Sequence, residues 1–232
     1  MAIRAGRKAG AGRYTDLPPA IRSEADLAAH VEALAAAHPQ FHPLLTTAGA
    51  VPLRLIEPGF RGLFWIVSGQ QISVAAARAI FARAEASLGE MSAERLADVD
   101  DGVLKTAGLS APKIRTLRGV ATAVLNGELD IDSLADLEAE AAVARLCTVK
   151  GIGRWTAEVY LLFALGHPDI FPAGDLALRE GARMAFALDA RPTEKEVIIR
   201  AEEWQPYRSA AARLIWAYYG AVKRGGAPVT PA

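Results

Sequence analysis

The chain has 232 residues, 52% of them hydrophobic, enough to bury one large core or two closely packed ones. Its 26 basic and 26 acidic side chains cancel, so net charge gives no sign of a polyanionic partner. No apolar run is long enough to cross a bilayer, the basic Gly/Ala-rich start lacks a secretory signal, and one cysteine, Cys147, excludes an internal disulfide, a four-cysteine zinc site and a cysteine-held iron–sulfur cluster.

The expected compartment is the cytoplasm. Apolar residues recur at spacings of three and four, and no alternating run suggests a strand, so the predicted fold is all-α with about ten helices in two packed halves. A basic tail covers residues 1–20, expected to be disordered. The first helix starts at Ser23, where Asp26 imitates a capping box, and stops at His38-Pro39. After a proline-rich connection, Val51 to Pro58, a helix covers Arg61 to Val67. Ser68-Gly69-Gln70-Gln71 interrupts it, and helix resumes from Ser73 to Ser87. Shorter helices are predicted over Ala93–Val99, Val103–Ala107, Ser110–Leu125 and Glu138–Cys147, with Cys147 read as a small buried hydrophobe. Further helices cover Arg154–Leu165 and Asp175–Leu188, another begins at Thr193, and a last one has Pro206 in its first turn and runs to Lys223. A helical domain over 21–224 and a disordered tail over 225–232 follow. The two halves are expected to meet near residues 60 and 190.

Charge is unevenly placed. Gly102 to Gly127 holds no acid but carries Lys105, Lys113, Arg115 and Arg118, and Ala141 to Ala157 holds no acid but carries Arg145, Lys150 and Arg154. Glu128 to Glu140 is acidic throughout. This suits two phosphate-facing patches and one face turned away from DNA, or equally a set of solvated helix faces.

The informative stretch lies at about 138–165, where Lys150-Gly151-Ile152-Gly153-Arg154 joins two helices. Two glycines around a buried aliphatic permit a tight turn that exposes successive N–H groups at a helix start, which is an anion site. Such a hairpin would hold a DNA phosphate regardless of sequence, with Lys150 and Arg154 adding charge; taken alone, it reads as an ordinary helical corner. Downstream, Asp175 opens a helix after a loop containing Pro172 and Gly174, which by itself reads as an N-cap.

Hairpin, helix and aspartate at this separation resemble the helix-hairpin-helix (HhH-GPD) DNA glycosylase superfamily. The resemblance runs from about Phe60 to Gly220, and within the superfamily the chain looks most like the 3-methyladenine DNA glycosylase II branch. Three segments carry it: Gly69-Gln-Gln-Ile-Ser-Val-Ala75, Lys150-Gly-Ile-Gly-Arg-Trp-Thr-Ala157 and Trp204-Gln-Pro-Tyr-Arg-Ser-Ala-Ala-Ala-Arg-Leu-Ile-Trp216. The resemblance implies that Asp175 is the catalytic carboxylate, that Trp155 and Trp216 line the pocket for a flipped base, and that Gln71, with Gln70, plugs the gap the base leaves. Without it, the tryptophans read as core residues and Gln71 as a solvated loop amide.

The implied partner is double-stranded DNA containing alkylated purines such as 3-methyladenine or 7-methylguanine, excised by a monomeric, monofunctional enzyme. In bifunctional relatives a lysine stands two residues after the second hairpin glycine; here that residue is Trp155. Two features depart from the branch: there are too few residues before Phe60 for its usual N-terminal β-rich domain, and Val159 replaces a pocket tyrosine. No organic cofactor and no side-chain metal site are implied, although relatives can hold a monovalent cation on hairpin carbonyls near Cys147 to Gly151. The rival reading is a non-catalytic helix-hairpin-helix module, which needs neither Asp175 nor the two tryptophans.

Overall fold

In a computed structural model that describes residues 17–225, the chain is all-helical. Of the predicted tails over 1–20 and 225–232, residues 1–16 and 226–232 lie outside the described residues. Twelve α-helices follow in order: α1 (Glu24–Ala37), α2 (His42–Ala48), α3 (Phe60–Gly69), α4 (Val74–Leu88), α5 (Ala93–Asp98), α6 (Asp101–Ala107), α7 (Ala111–Leu125), α8 (Ala139–Cys147), α9 (Arg154–Phe163), α10 (Leu176–Ala185), α11 (Glu194–Ala201) and α12 (Arg208–Lys223).

Local chemistry explains most of the boundaries. Ser23 caps α1 and Thr193 caps α11, each in a reciprocal capping box with the residue three positions on, Asp26 and Glu196. Ser73 caps α4 and Asp175 caps α10. One helix was not expected. It is α2: Pro39 reads as a helix stop, yet it opens a 3-10 turn that leads straight into α2, and Pro43 lies in the first turn of α2, where the missing N–H costs nothing. The last helix starts at Arg208 rather than around Pro206.

Buried side chains fall into two clusters. One joins α1, α2 and α8 to α12 around Phe41, Tyr160 and Trp204; the other joins α3 to α7 around Phe64, Phe81 and Leu117. The chain therefore crosses between halves near residue 60, as expected, and again after α7, near Asn126, rather than at 190. Helix α3 contributes to both cores, with Leu63 and Ile66 in one and Phe64 and Val67 in the other. Its C-terminal end, which leads to Gln70 and Gln71, is thus held from both sides. Cys147 is exposed, because the buried positions of α8 are Ala142, Val143 and Leu146 and the helix ends at Cys147 itself. Among the described residues no helix is long and apolar enough to cross a membrane.

Candidate active site and nucleic-acid interface

The hairpin between α8 and α9 is built by two glycines with different tasks. Gly151 has φ +98°, and a Cβ there would lie 1.9 Å from Thr116 Oγ1 on α7, so only glycine lets the turn seat against α7. Val149 and Ile152 anchor it in the core. Gly153 is the N-cap of α9 in extended conformation, and a Cβ there would meet nothing within 4 Å. Nothing inside the protein requires glycine at 153. No side chain caps α9, so its first N–H groups remain available to an anion.

Asp175 lies at the start of α10, half-buried. Its Oδ1 accepts from the Leu178 N–H at 2.7 Å and from Trp216 Nε1 at 3.1 Å, and its Oδ2 accepts from Trp155 Nε1 at 3.2 Å. The residue is therefore the helix cap that sequence suggested and also the meeting point of two indoles, from positions 20 and 41 residues away. A core tryptophan needs only some partner for its N–H. Two tryptophans from different helices converging on one carboxylate, both partly exposed, form aromatic walls around an acidic centre. Phe163, unmarked in the sequence reading, stacks on Trp216 with ring centroids 5.6 Å apart. It lies two turns beyond Trp155 on the face of α9 that also carries Val159.

Gln71 is exposed at the break between α3 and α4, in the left-handed region with φ +59°. Such a backbone is costly for a side-chain-bearing residue and tends to mark a functional turn. Ile72 and Val74 beside it are exposed as well. Gln70 is placed differently from its neighbour: its amide donates to Thr156 Oγ1 at 2.9 Å, in the first turn of α9. It braces the tip against the hairpin helix rather than standing free as a second plug. Lys113 Nζ donates to the Ser68 carbonyl at 2.8 Å, capping the end of α3, and burial pulls its pKa below the usual lysine range.

The basic patches change in three dimensions. Arg118 is committed to Asp101 and to the carbonyls of Leu96, Ala97 and Val99. Arg154, expected to face phosphate unopposed, forms a two-pronged pair with Glu140 at 2.6 and 2.9 Å and a further contact with Glu158 at 2.8 Å. Both acids lie just outside the acid-free stretch and are brought back by α8 and by the i,i+4 spacing of α9. Lys105, Arg115 and Lys150 remain exposed, with no ion pair among the described residues.

Burial pushes the Glu158 carboxyl up to about 7 against the pull of Arg154. The carboxyl is therefore neutral below that pH, and the Arg154 charge is then less offset. Affinity for duplex DNA should rise by a few-fold as pH falls from 8 to 6, and the Glu158→Gln variant should lose that dependence. Titrations of both proteins at constant ionic strength check this, and equal pH profiles would separate Arg154 from the interface.

The sequence profile of the HhH-GPD superfamily of base excision DNA repair proteins matches residues 64–206, a span that includes the break at Gln71, the hairpin and Asp175. DNA-3-methyladenine glycosylase 1 of Schizosaccharomyces pombe is 37% identical over 164 residues, which cover 69% of this chain and 72% of that protein. In solved structures, the 3-methyladenine DNA glycosylase of the same yeast in complex with abasic DNA superposes with a TM-score of 0.76 at 31% identity, covering 87% of this chain and all of that one. A DNA-3-methyladenine glycosidase from Bacillus halodurans superposes with a TM-score of 0.74 at 32% identity, over 84% of this chain and 91% of that one. Profile, sequence and fold agree with the hairpin and the tryptophan-flanked aspartate: the chain belongs to the HhH-GPD superfamily of base excision DNA repair proteins.

Proposed function

We propose that the protein is a monofunctional DNA glycosylase that flips an alkylated purine out of duplex DNA and hydrolyses its bond to the sugar. The observation that carries this reading is the junction at Asp175, where the indole N–H groups of Trp155 and Trp216 meet one carboxylate. A binding module has no use for it. The relatives named as 3-methyladenine glycosylases support the same reaction class, and the yeast structure with abasic DNA supports duplex DNA as the partner.

Each part has a physical task. A base must leave the stack before its glycosidic bond can be reached, and the gap it leaves must be filled. Gln71 fills the gap, steadied by the Gln70–Thr156 bond, while the hairpin from Lys150 to Arg154 grips a phosphate. An alkylated purine is cationic, so aromatic faces at Trp155 and Trp216 hold it with roughly 0.5 to 2 kcal/mol of cation–π attraction. As the bond breaks, positive charge develops on the sugar, and the Asp175 carboxylate stabilises it and orients the attacking water. Residues 21–224 act as one catalytic unit, monomeric and cytoplasmic, with no organic cofactor. A monovalent cation on hairpin carbonyls near Cys147 to Gly151 belongs to the same reading: the main-chain bonds of the turn use the carbonyls of Arg145, Leu146, Val149 and Gly153, and those of Cys147, Thr148, Lys150 and Gly151 accept no main-chain donor among the described residues.

Incubation with duplex DNA methylated at several positions, followed by identification of the released bases, tests the reading. Release of 3-methyladenine or 7-methylguanine is the expected result, and no release from any methylated duplex would leave only a binding protein. Because Trp155 occupies the place of the lyase lysine, the strand should stay intact at the abasic site. Borohydride should trap no covalent protein–DNA adduct; efficient trapping would show Schiff-base chemistry instead.

A further inference from the structure

A cavity lies against Trp216 and Phe163, and the glycosylase reading gives no task to the arginines around it. It has a volume of about 40 Å³, room for roughly three waters or one tetrahedral oxyanion. Phe163 and Trp216 form its aromatic sides, and Arg54, Arg213 and Arg224 complete it; among the described residues no carboxylate lines it.

Arg213 is the unusual member. It is only 3% exposed, and its terminal nitrogens donate to the carbonyls of Arg54 and Leu162 at 3.1 and 3.0 Å. Its guanidinium lies over the Phe163 ring, 4.8 Å from the centroid, and its Nε has no partner among the described residues. Carbonyls satisfy N–H groups but do not neutralise a charge, and burying a cation without a counter-ion is costly. Burial, with a smaller push from the like charge of Arg54, lowers the Arg213 pKa to about 10, so the group is still a cation at neutral pH. Arg54 and Arg224 are exposed and add further positive charge at the same place. Among the described residues none of the three arginines has an ion-pair partner.

We propose that this cavity is an oxyanion site that takes a phosphate group between Arg54, Arg213 and Arg224. The phosphate is either free inorganic phosphate or a phosphodiester of bound DNA. The site is separate from the hairpin grip: Phe163 lies eight residues beyond Trp155, about 12 Å further along α9. It shares Trp216 with the catalytic centre, and the same indole donates to Asp175. An anion held there would lie against Trp216.

The probes are inorganic phosphate and a duplex of undamaged DNA, and the test variant is the double change Arg54→Gln with Arg224→Gln, two exposed side chains outside the catalytic machinery. At constant pH and ionic strength, phosphate replacing chloride should change tryptophan fluorescence and raise the thermal midpoint saturably, and the double variant should need at least about tenfold more phosphate. If the occupant is a DNA phosphodiester, the variant should also lower the slope of log affinity against log salt by about one per lost contact. With free phosphate as occupant, that slope stays unchanged. A saturable response identical in parent and variant would place phosphate elsewhere, and no response to phosphate with an unchanged slope would mean no site; either overturns the proposal. Neither result bears on glycosylase activity, which is measured separately by base release.

Discussion

Asp175→Asn should lower single-turnover release of methylated purines by roughly 10²- to 10³-fold while leaving duplex binding intact. The size follows from removing one preorganised charge that faces the developing sugar cation. The geometry also shows what the amide keeps and loses. Its oxygen can still accept from the Leu178 N–H and from Trp216 Nε1, as Oδ1 does now, so the helix remains capped. Its NH₂ group would replace Oδ2, which accepts from Trp155 Nε1, and two donors would then face each other. The fold should survive at a cost of about 1 kcal/mol, the worth of one lost hydrogen bond. Binding should hold or tighten slightly, since a charge that repels phosphate disappears. Release within a few-fold of the parent would reduce Asp175 to a helix cap.

The two hairpin glycines should separate cleanly under the same substitution. Gly153→Val has open space around its Cβ and an extended backbone at the cap, so thermal stability should change by less than about 1 kcal/mol. Affinity for damaged and undamaged duplex should fall together by about 10- to 100-fold, as expected when charge-assisted N–H contacts to phosphate are obstructed. Gly151→Val drives its Cβ into Thr116 from a backbone conformation that valine avoids. It should destabilise the protein by at least about 2 kcal/mol, read as a lower denaturation midpoint before any DNA is added. Equal DNA affinity for Gly153→Val and the parent would remove the hairpin from the interface. Equal stability for Gly151→Val and the parent would mean that the turn does not press on α7.

Much of this architecture is local and therefore readable along the chain. Helix starts at Ser23 and Thr193 follow from side chains bonding N–H groups three residues away, and the hairpin follows from two glycines flanking a buried isoleucine. Short helix α2 escaped because proline is both a helix breaker and a good first-turn residue, and only packing decides which role it plays.

Distance along the chain marks where sequence reading stops. Residue type and spacing, with the family resemblance they carried, determined an all-helical glycosylase with a hairpin at 150–154, an aspartate at a helix start and a glutamine at a helix break. Tertiary structure alone decided the partners. It brought Trp155 and Trp216 to the two oxygens of Asp175, tied Gln70 to Thr156 across 86 residues, returned Glu140 to the charge of Arg154, and left Arg213 buried without a counter-ion. The reason is physical: capping and periodicity act within one or two turns of helix, whereas hydrogen bonds and charges act through space between helices whose packing angles no local pattern specifies.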